Sequence, residues 1–176
     1  MAPERGRILL HTCCGPCATA CVERLAPDYE VILFFSNSNI APQAEYLKRL
    51  EHAGRLAKIL NIGIREDAYD HRSWLDHVRG LEDEPERGKR CERCFAFSLA
   101  RTAATADELQ IPVFTTSLSV SRYKSSSAIF SLGRAYQGFE AIDFKKKNGY
   151  ARSIKLSRQY GIYRQSYCGC EFSMRH

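Results

Sequence analysis

Short runs of branched and aromatic residues alternate along this chain with segments of helical spacing, and that alternation leaves few ways to fold. Arg7 to His11 and Glu30 to Phe35 read as buried strands, because both are of strand length and largely apolar. Between them Cys17 to Ala26 has helical spacing and stops at Pro27. Pro42 opens a second helix whose apolar positions Tyr46, Leu50, Ala53, Ala57 and Leu60 recur at helical period. Ile62 to Ile64 suggests a third strand, Ser73 to Val78 a short helix, Cys91 to Leu109 a longer one, and Pro112 to Thr116 a fourth strand. A strand followed repeatedly by a helix builds a parallel sheet with helices on both faces, so the expected class is α/β. Neither an internal repeat nor a second domain is visible, and residues 1–176 read as one α/β domain.

In such a sheet, ligands collect in the crevice beyond the carboxyl ends of the strands. The loops expected there are Cys13 to Cys17, Ser36 to Asn39 and Ser117 to Lys124. Leu81 to Arg90, dense in charge and holding Pro85 and Gly88, reads as a surface loop that delivers Cys91 and Cys94 to the same place.

A hydrophobic fraction of 44% with 26% charged residues excludes a disordered or fibrous chain. No apolar stretch is long enough for a membrane span, and Met1-Ala2-Pro3-Glu4-Arg5 has no signal-peptide character, so the chain is expected in the cytoplasm. There thiols stay reduced, which makes eight cysteines a chemical rather than a structural feature. Seven of them fall into three groups: Cys13, Cys14 and Cys17; Cys91 and Cys94; Cys168 and Cys170. Cys21, one turn beyond Cys17 in an apolar stretch, reads as a core residue.

Cys13, Cys14, Cys91 and Cys94 offer four thiolates, which by count satisfy either a structural zinc or a [4Fe–4S] cluster. Their convergence on a ligand crevice, in a chain that already has a core, argues against a purely structural zinc. At the expected start of a helix, Cys91 and Cys94 would have their thiolates favoured by the macrodipole. Cys168-Gly169-Cys170 suits a strained, easily reduced pair, or further metal ligands together with Cys17. Cys14-Gly15-Pro16-Cys17 after a strand also matches a thioredoxin-type dithiol, with Pro112 as its proline, but that reading leaves the other cysteines unused.

Positive charge is concentrated at one end. Residues 144–176 hold eight Lys and Arg against one acid, a balance of +7, while the remainder, with 18 basic and 19 acidic residues, carries −1. Tyr150, Tyr160, Tyr163 and Tyr167 are interleaved with these cations, as on a surface that neutralises phosphates and stacks bases. The alternative is a solvated basic face.

The assembled signatures resemble the cobalamin-independent epoxyqueuosine reductases, the QueH family. The matching segments are His11-Thr12-Cys13-Cys14-Gly15-Pro16-Cys17, Phe35 to Ile40 with Glu45 and Tyr46, Arg87 to Phe95, Phe114 to Leu118 followed by Tyr123 and Lys124, Phe144 to Lys147, and Tyr163 to Cys170 with Phe172 and Ser173. They run in the family's order over nearly the whole chain. Ser38, Arg122 and Ser98 depart from the family pattern, where proline, proline and arginine are expected.

The resemblance implies a Rossmann-like fold of the HUP type and the reduction of epoxyqueuosine to queuosine at the wobble position of tRNA. It further implies a [4Fe–4S] cluster on Cys13, Cys14, Cys91 and Cys94, an additional mononuclear iron with Cys17 as a candidate ligand, and Cys168 with Cys170 as the redox pair. Removing an epoxide oxygen takes two electrons, which unmodified side chains do not hold ready, and no dinucleotide fingerprint is present; an iron site would supply electrons and a Lewis acid. Tyr123, Lys124 or His11 are the candidate proton donors, His11 alternatively orienting a ligand. Lys145, Lys146, Lys147, Arg152 and Arg164 are the candidate tRNA contacts, so that residues 144–176 complete the active site. The expected partners are tRNA carrying epoxyqueuosine and an electron donor, with no membrane. The rival readings are a dithiol oxidoreductase and a noncatalytic metal-binding tRNA protein.

Overall fold

The computed structural model describes residues 4–174. Met1 to Pro3 of the N-terminal segment and Arg175 of the basic end lie outside the described residues. Four strands form one parallel sheet in the order β3-β2-β1-β4: β1 (Gly6–His11), β2 (Tyr29–Phe35), β3 (Gly63–Glu66) and β4 (Val113–Thr116). The helices are α1 (Gly15–Leu25), α2 (Gln43–Leu60), α3 (His71–His77), α4 (Lys89–Glu108), α5 (Ser126–Gly133) and α6 (Gly149–Gln159). The α/β class and the Rossmann-like layering are as the alternation predicts. Among the described residues no helix is long and apolar enough to cross a membrane.

Side chains on a strand point alternately to its two faces, and here each face has its own cover. Ile8 and Leu10 of β1 and Val31 and Leu33 of β2 pack with Ala18, Val22 and Leu25 of α1 and Leu56 of α2. Leu9 and Phe34 point the other way, with Phe114 of β4, onto Leu99, Ala103 and Ala106 of α4. Full burial of each such side chain contributes on the order of 2 kcal/mol. A one-residue slip would turn both sets around at once, so this two-sided burial fixes the register.

Three helices start two residues before their apolar periodicity does, because their first residues are not apolar. α1 begins at Gly15 rather than Cys17, α3 at His71 rather than Ser73, and α4 at Lys89 rather than Cys91. Asp70 caps α3 by accepting from the Ser73 N–H at 3.0 Å. Lys89 and Arg90 therefore belong to α4 and not to the preceding loop. Arg90 is buried, its guanidinium donating to the carbonyls of Leu81, Glu82 and Glu84. The third strand is also displaced: Ile62 packs into the core behind the end of α2, and β3 runs exposed along the sheet edge from Gly63.

The chain leaves β1 for β2 and β3 on one side, then returns to place β4 on the other. The switch point therefore lies between the carboxyl ends of β1 and β4. The outer edge of β4 is covered by residues 138–140, through Phe114 N–H to Gly138 O and Glu140 N–H to Phe114 O, each 2.9 Å. Helix α6 packs on α1. The segment after it returns across α2 to the loop following β2.

Candidate functional site

The loop from β1 into α1 stands at the switch point, and its shape follows from where its backbone groups find partners. The Thr12 N–H continues the strand ladder to Phe34 O at 2.8 Å, and Asn37 Nδ2 donates to Thr12 O at 2.9 Å. Cys13 N–H crosses the switch point to Ser117 Oγ at 3.0 Å, and that hydroxyl lies 3.2 Å from Cys13 Sγ. Cys14 then occupies the N-cap of α1, its sulfur accepting from Cys17 N–H at 3.4 Å. Gly15 is required because a Cβ there would stand 2.7 Å from the Ile162 side chain.

This turn gathers three sulfurs. Cys13 and Cys14 Sγ are 4.0 Å apart, and the sulfurs of Cys13, Cys14 and Cys17 all lie within 4.8 Å of one another. Two thiolates at about 2.3 Å from one metal are at most about 4.6 Å apart, so the triangle suits a metal with little adjustment. Hydrogen bonds from Cys13, then Cys17 and Gln165 hold the pKa of Cys14 well below the ordinary thiol value. Cys13 and Cys17 are pushed up, chiefly by sharing their protons with neighbouring sulfurs and then by burial. Cys21 lies fully buried in the core below.

Cys91 and Cys94 stand on α4 and do not join this triangle. They line a cavity of about 160 Å³ together with Cys168, Cys170, Trp74 and Lys124. An adjoining cavity of about 360 Å³ is lined by Cys13, Cys17, Cys94, Cys168, Lys124 and Gln165, among others, so Cys94, Cys168 and Lys124 border both. Burial raises the pKa of Cys91 and of Cys94. The indole Nε1 of buried Trp74 has no hydrogen-bond partner among the described residues, and Trp74 lines the same cavity as Cys94, whose pKa it lowers against the larger effect of burial. The Arg87 N–H donates to Cys91 Sγ at 3.3 Å. Lys124 is kept charged by the sulfurs around it, Cys168 first.

Cys168 is exposed and Cys170 buried, and both thiols are free. Their segment has no regular structure and is held from outside. Buried Arg49 of α2, paired with Glu45 at 2.8 Å, donates to Cys168 O at 2.8 Å and Tyr167 O at 3.0 Å. Ala41 N–H donates to Gly169 O at 2.9 Å. Gly169 has φ +138°, and a Cβ there would stand 3.0 Å from Ile40 and 3.2 Å from Arg49. This clamp carries a weak signature, since Glu45 and Arg49 read as an ordinary i,i+4 surface pair.

His11 is buried with both ring nitrogens engaged: Nε2 donates to Ser36 O at 3.1 Å, and Nδ1 accepts from Thr116 Oγ1 at 2.9 Å. Burial lowers its pKa, and its two hydrogen bonds tie the ends of the strands together. Among the basic candidates, Lys146 and Lys147 are exposed, Lys145 Nζ donates to Ser126 Oγ at 2.6 Å, and Arg152 is bidentate on Glu23 at 2.9 and 2.6 Å. Arg164 lines the larger cavity beside Tyr150. Tyr123 is 57% exposed on the rim of that cavity, whereas Lys124 reaches inward.

A Rossmann-like sheet whose switch-point crevice gathers a three-cysteine group that could hold a metal defines the class: a thiol-rich α/β protein. The profile of the family described as "Epoxyqueuosine reductase QueH" matches residues 8–176. The protein of that name from Streptococcus pyogenes serotype M1 is 37% identical over 182 residues, covering 97% of this chain and 71% of its own length. The Haemophilus influenzae protein is 38% identical (96% and 72% covered), and the Thermotoga maritima protein 34% identical (96% and 91%). The chain belongs to the QueH family.

Proposed function

We propose that this protein reduces epoxyqueuosine to queuosine at the wobble position of tRNA, in the cytoplasm, as an oxidoreductase with an iron–sulfur site. The observation that carries this reading is the meeting of six cysteines around two adjoining cavities at the switch point, with Cys14 beside Cys13 and Cys17, in a chain whose relatives are named epoxyqueuosine reductases. Cys13, Cys14, Cys91 and Cys94 would hold a [4Fe–4S] cluster, and Cys17 a further iron. Three close sulfurs, a larger cavity bordered by Cys13 and Cys94, and the unpartnered buried N–H of Trp74, which lines the smaller cavity with Cys94, fit a group made of iron and anionic sulfur. When bound, that group supplies one-electron chemistry and a Lewis acid.

The remaining chemistry belongs to the chain. Both epoxide carbon–oxygen bonds break, a carbon–carbon double bond forms, and the oxygen leaves as water after uptake of two electrons and two protons. Oxidation of the Cys168 and Cys170 thiols to a disulfide supplies that balance, and an external two-electron donor, a dithiol or a reduced carrier protein, restores them. Lys124 holds a proton at Nζ where both cavities meet, within the space the leaving oxygen would occupy. Residues 144–176 close the site as part of one α/β domain, with Lys145, Lys146, Lys147, Arg152 and Arg164 as its cationic side toward tRNA.

The test is iron and sulfide analysis with EPR on anaerobically purified protein, followed by turnover on tRNA carrying epoxyqueuosine. Iron, sulfide and conversion to queuosine are expected. A redox-inert zinc without turnover would overturn the reading.

A further inference from the structure

The larger cavity opens beneath a ladder of rings and guanidinium groups that neither metal binding nor the proton at Lys124 uses. Tyr123, 57% exposed, is among the few large apolar-bodied side chains the fold leaves in solvent. It is held in place: Arg122 Cζ lies 5.1 Å from its ring centroid, and Arg122 Nη2 donates to its hydroxyl at 2.9 Å. The same guanidinium stands 4.9 Å from the Tyr150 ring, which meets Tyr123 edge-to-face at 6.5 Å and 88°. Arg164 closes the row, 5.5 Å from the Tyr150 centroid, with Nη2 donating to the Tyr150 hydroxyl at 3.2 Å. Arg87 steadies the loop by donating to Arg122 O at 3.4 Å. Tyr123, Tyr150 and Arg164 all line the cavity that runs in to Cys13 and Cys17; one acid, Glu86, lines it too.

An exposed aromatic face fixed by cations has a particular use. Unpaired bases stack on tyrosine rings and guanidinium planes whatever their identity, while the cations neutralise the adjoining phosphates. We infer that Tyr123, Arg122 and Tyr150 form a stacking platform for one unpaired nucleobase adjacent to the base that enters the cavity. This rests on the tRNA reading above and deepens it, because a base cannot enter a cavity of this kind while stacked on its neighbours. It also gives Tyr123 a role carried by its ring, in place of the hydroxyl proton that its position in the motif suggests.

The experiment uses the anaerobic holoprotein and a hairpin RNA reproducing an anticodon arm, with 2-aminopurine immediately 5′ or 3′ of the wobble nucleotide. Binding by the wild type should quench the probe at one of these positions. Tyr123→Leu should abolish that quenching and weaken binding about 5- to 150-fold, the range for losing one base–aromatic stack. Tyr123→Phe should keep both quenching and affinity. Leucine behaving as the wild type would overturn the platform, as would phenylalanine behaving like leucine, since the hydroxyl and not the ring would then matter. The two proposals fail separately. Quenching that depends on the Tyr123 ring, without conversion of epoxyqueuosine, leaves the platform and overturns the reductase; conversion with ring-independent binding does the reverse.

Discussion

The two loops that bring thiols into the crevice from opposite ends of the chain are built on different principles. Residues 12–17 hang directly from β1 and run straight into α1, with their backbone groups bonded to the sheet, to Ser117 and to the helix cap. Residues 167–170 belong to no regular element; Arg49, Ala41 and Ser173 satisfy their carbonyls. The first loop is shaped by the fold itself and cannot change without disturbing the sheet end. The second is clamped by side chains from elsewhere, so it can loosen while the sheet stays folded, which is what the redox role proposed for its two thiols would need.

The largest effect should separate the loops by what they hold. Cys14→Ala removes both a sulfur of the close triangle and the α1 N-cap, and should abolish iron binding, read as iron per chain and visible absorbance after anaerobic purification. The Cys168→Ser, Cys170→Ser double variant should keep its iron and lose conversion of epoxyqueuosine, since the pair that supplies the two electrons is gone. Equal loss of iron in both variants would erase the contrast and make the C-terminal pair ligands.

The clamp is the next target. Arg49→Met leaves the largely buried Glu45 with Tyr163 as its remaining partner among the described residues, and frees the half-buried carbonyls of Tyr167 and Cys168. Breaking one side of a buried pair costs about 3 kcal/mol, equivalent to roughly 6–12 °C in a chain of this size. Alkylation followed by mass spectrometry should find Cys170 newly reactive while Cys13 and Cys14 keep wild-type rates. Uniform exposure of all thiols would mean that the second loop is as integral as the first.

The same contrast explains what could be read without coordinates. The sheet was legible because Ile8, Leu9 and Leu10 had to face two covers in turn, and the first thiol loop because it follows a strand. Helix starts at Gly15, His71 and Lys89 were hidden by first turns that carry no apolar period. Helix α6 was hidden differently: Ser153, Leu156 and Ser157 bury a mostly small, polar face on α1, so its charges and tyrosines dominated the pattern. Arg90 and Arg49 look like surface cations, and only tertiary contact reveals them as buried carbonyl ligands. Motif and spacing drew Cys13, Cys14, Cys91 and Cys94 together as one set, whereas the fold groups Cys13 and Cys14 with Cys17 and sets Cys91 and Cys94 beside Cys168 and Cys170.

Acid should act on the frame of the first loop. Asp67 accepts from Ser36 Oγ at 2.8 Å at the end of β2 and from Arg101 at 2.6 and 2.9 Å. Burial tends to raise its pKa, but the hydrogen bonds from Arg101 and Ser36 prevail and it is lowered. A carboxylate with a lowered folded pKa stabilises fully above its unfolded value near about 4, and that contribution disappears as pH falls through the folded value. Asp67→Asn should therefore cost about 2 kcal/mol at neutral pH. Urea unfolding from neutral pH downward should show the gap from wild type closing below about pH 4; a gap constant with pH would mean that the charge is not what secures the frame.

The smallest effect asks whether the C-terminal end contributes charge toward RNA as well as thiols. Its net positive balance overstates what is free to meet a phosphate, because Arg152 is bidentate on Glu23 and Lys145 is bonded to Ser126. Lys146 and Lys147 remain exposed at the turn before α6. Each phosphate contact contributes roughly 0.7 to 0.9 to the slope of log K against log salt, so replacing both with Ala should flatten that slope for tRNA by about 1.5 and leave iron content unchanged. Replacing Lys145 alone should move it by much less, since its ammonium is already partnered. A full unit of change from Lys145, or none from the exposed pair, would shift the cationic footprint to Arg87, Arg122 and Arg164 at the mouth of the larger cavity, and with it the part of the second loop's surroundings that meets the RNA.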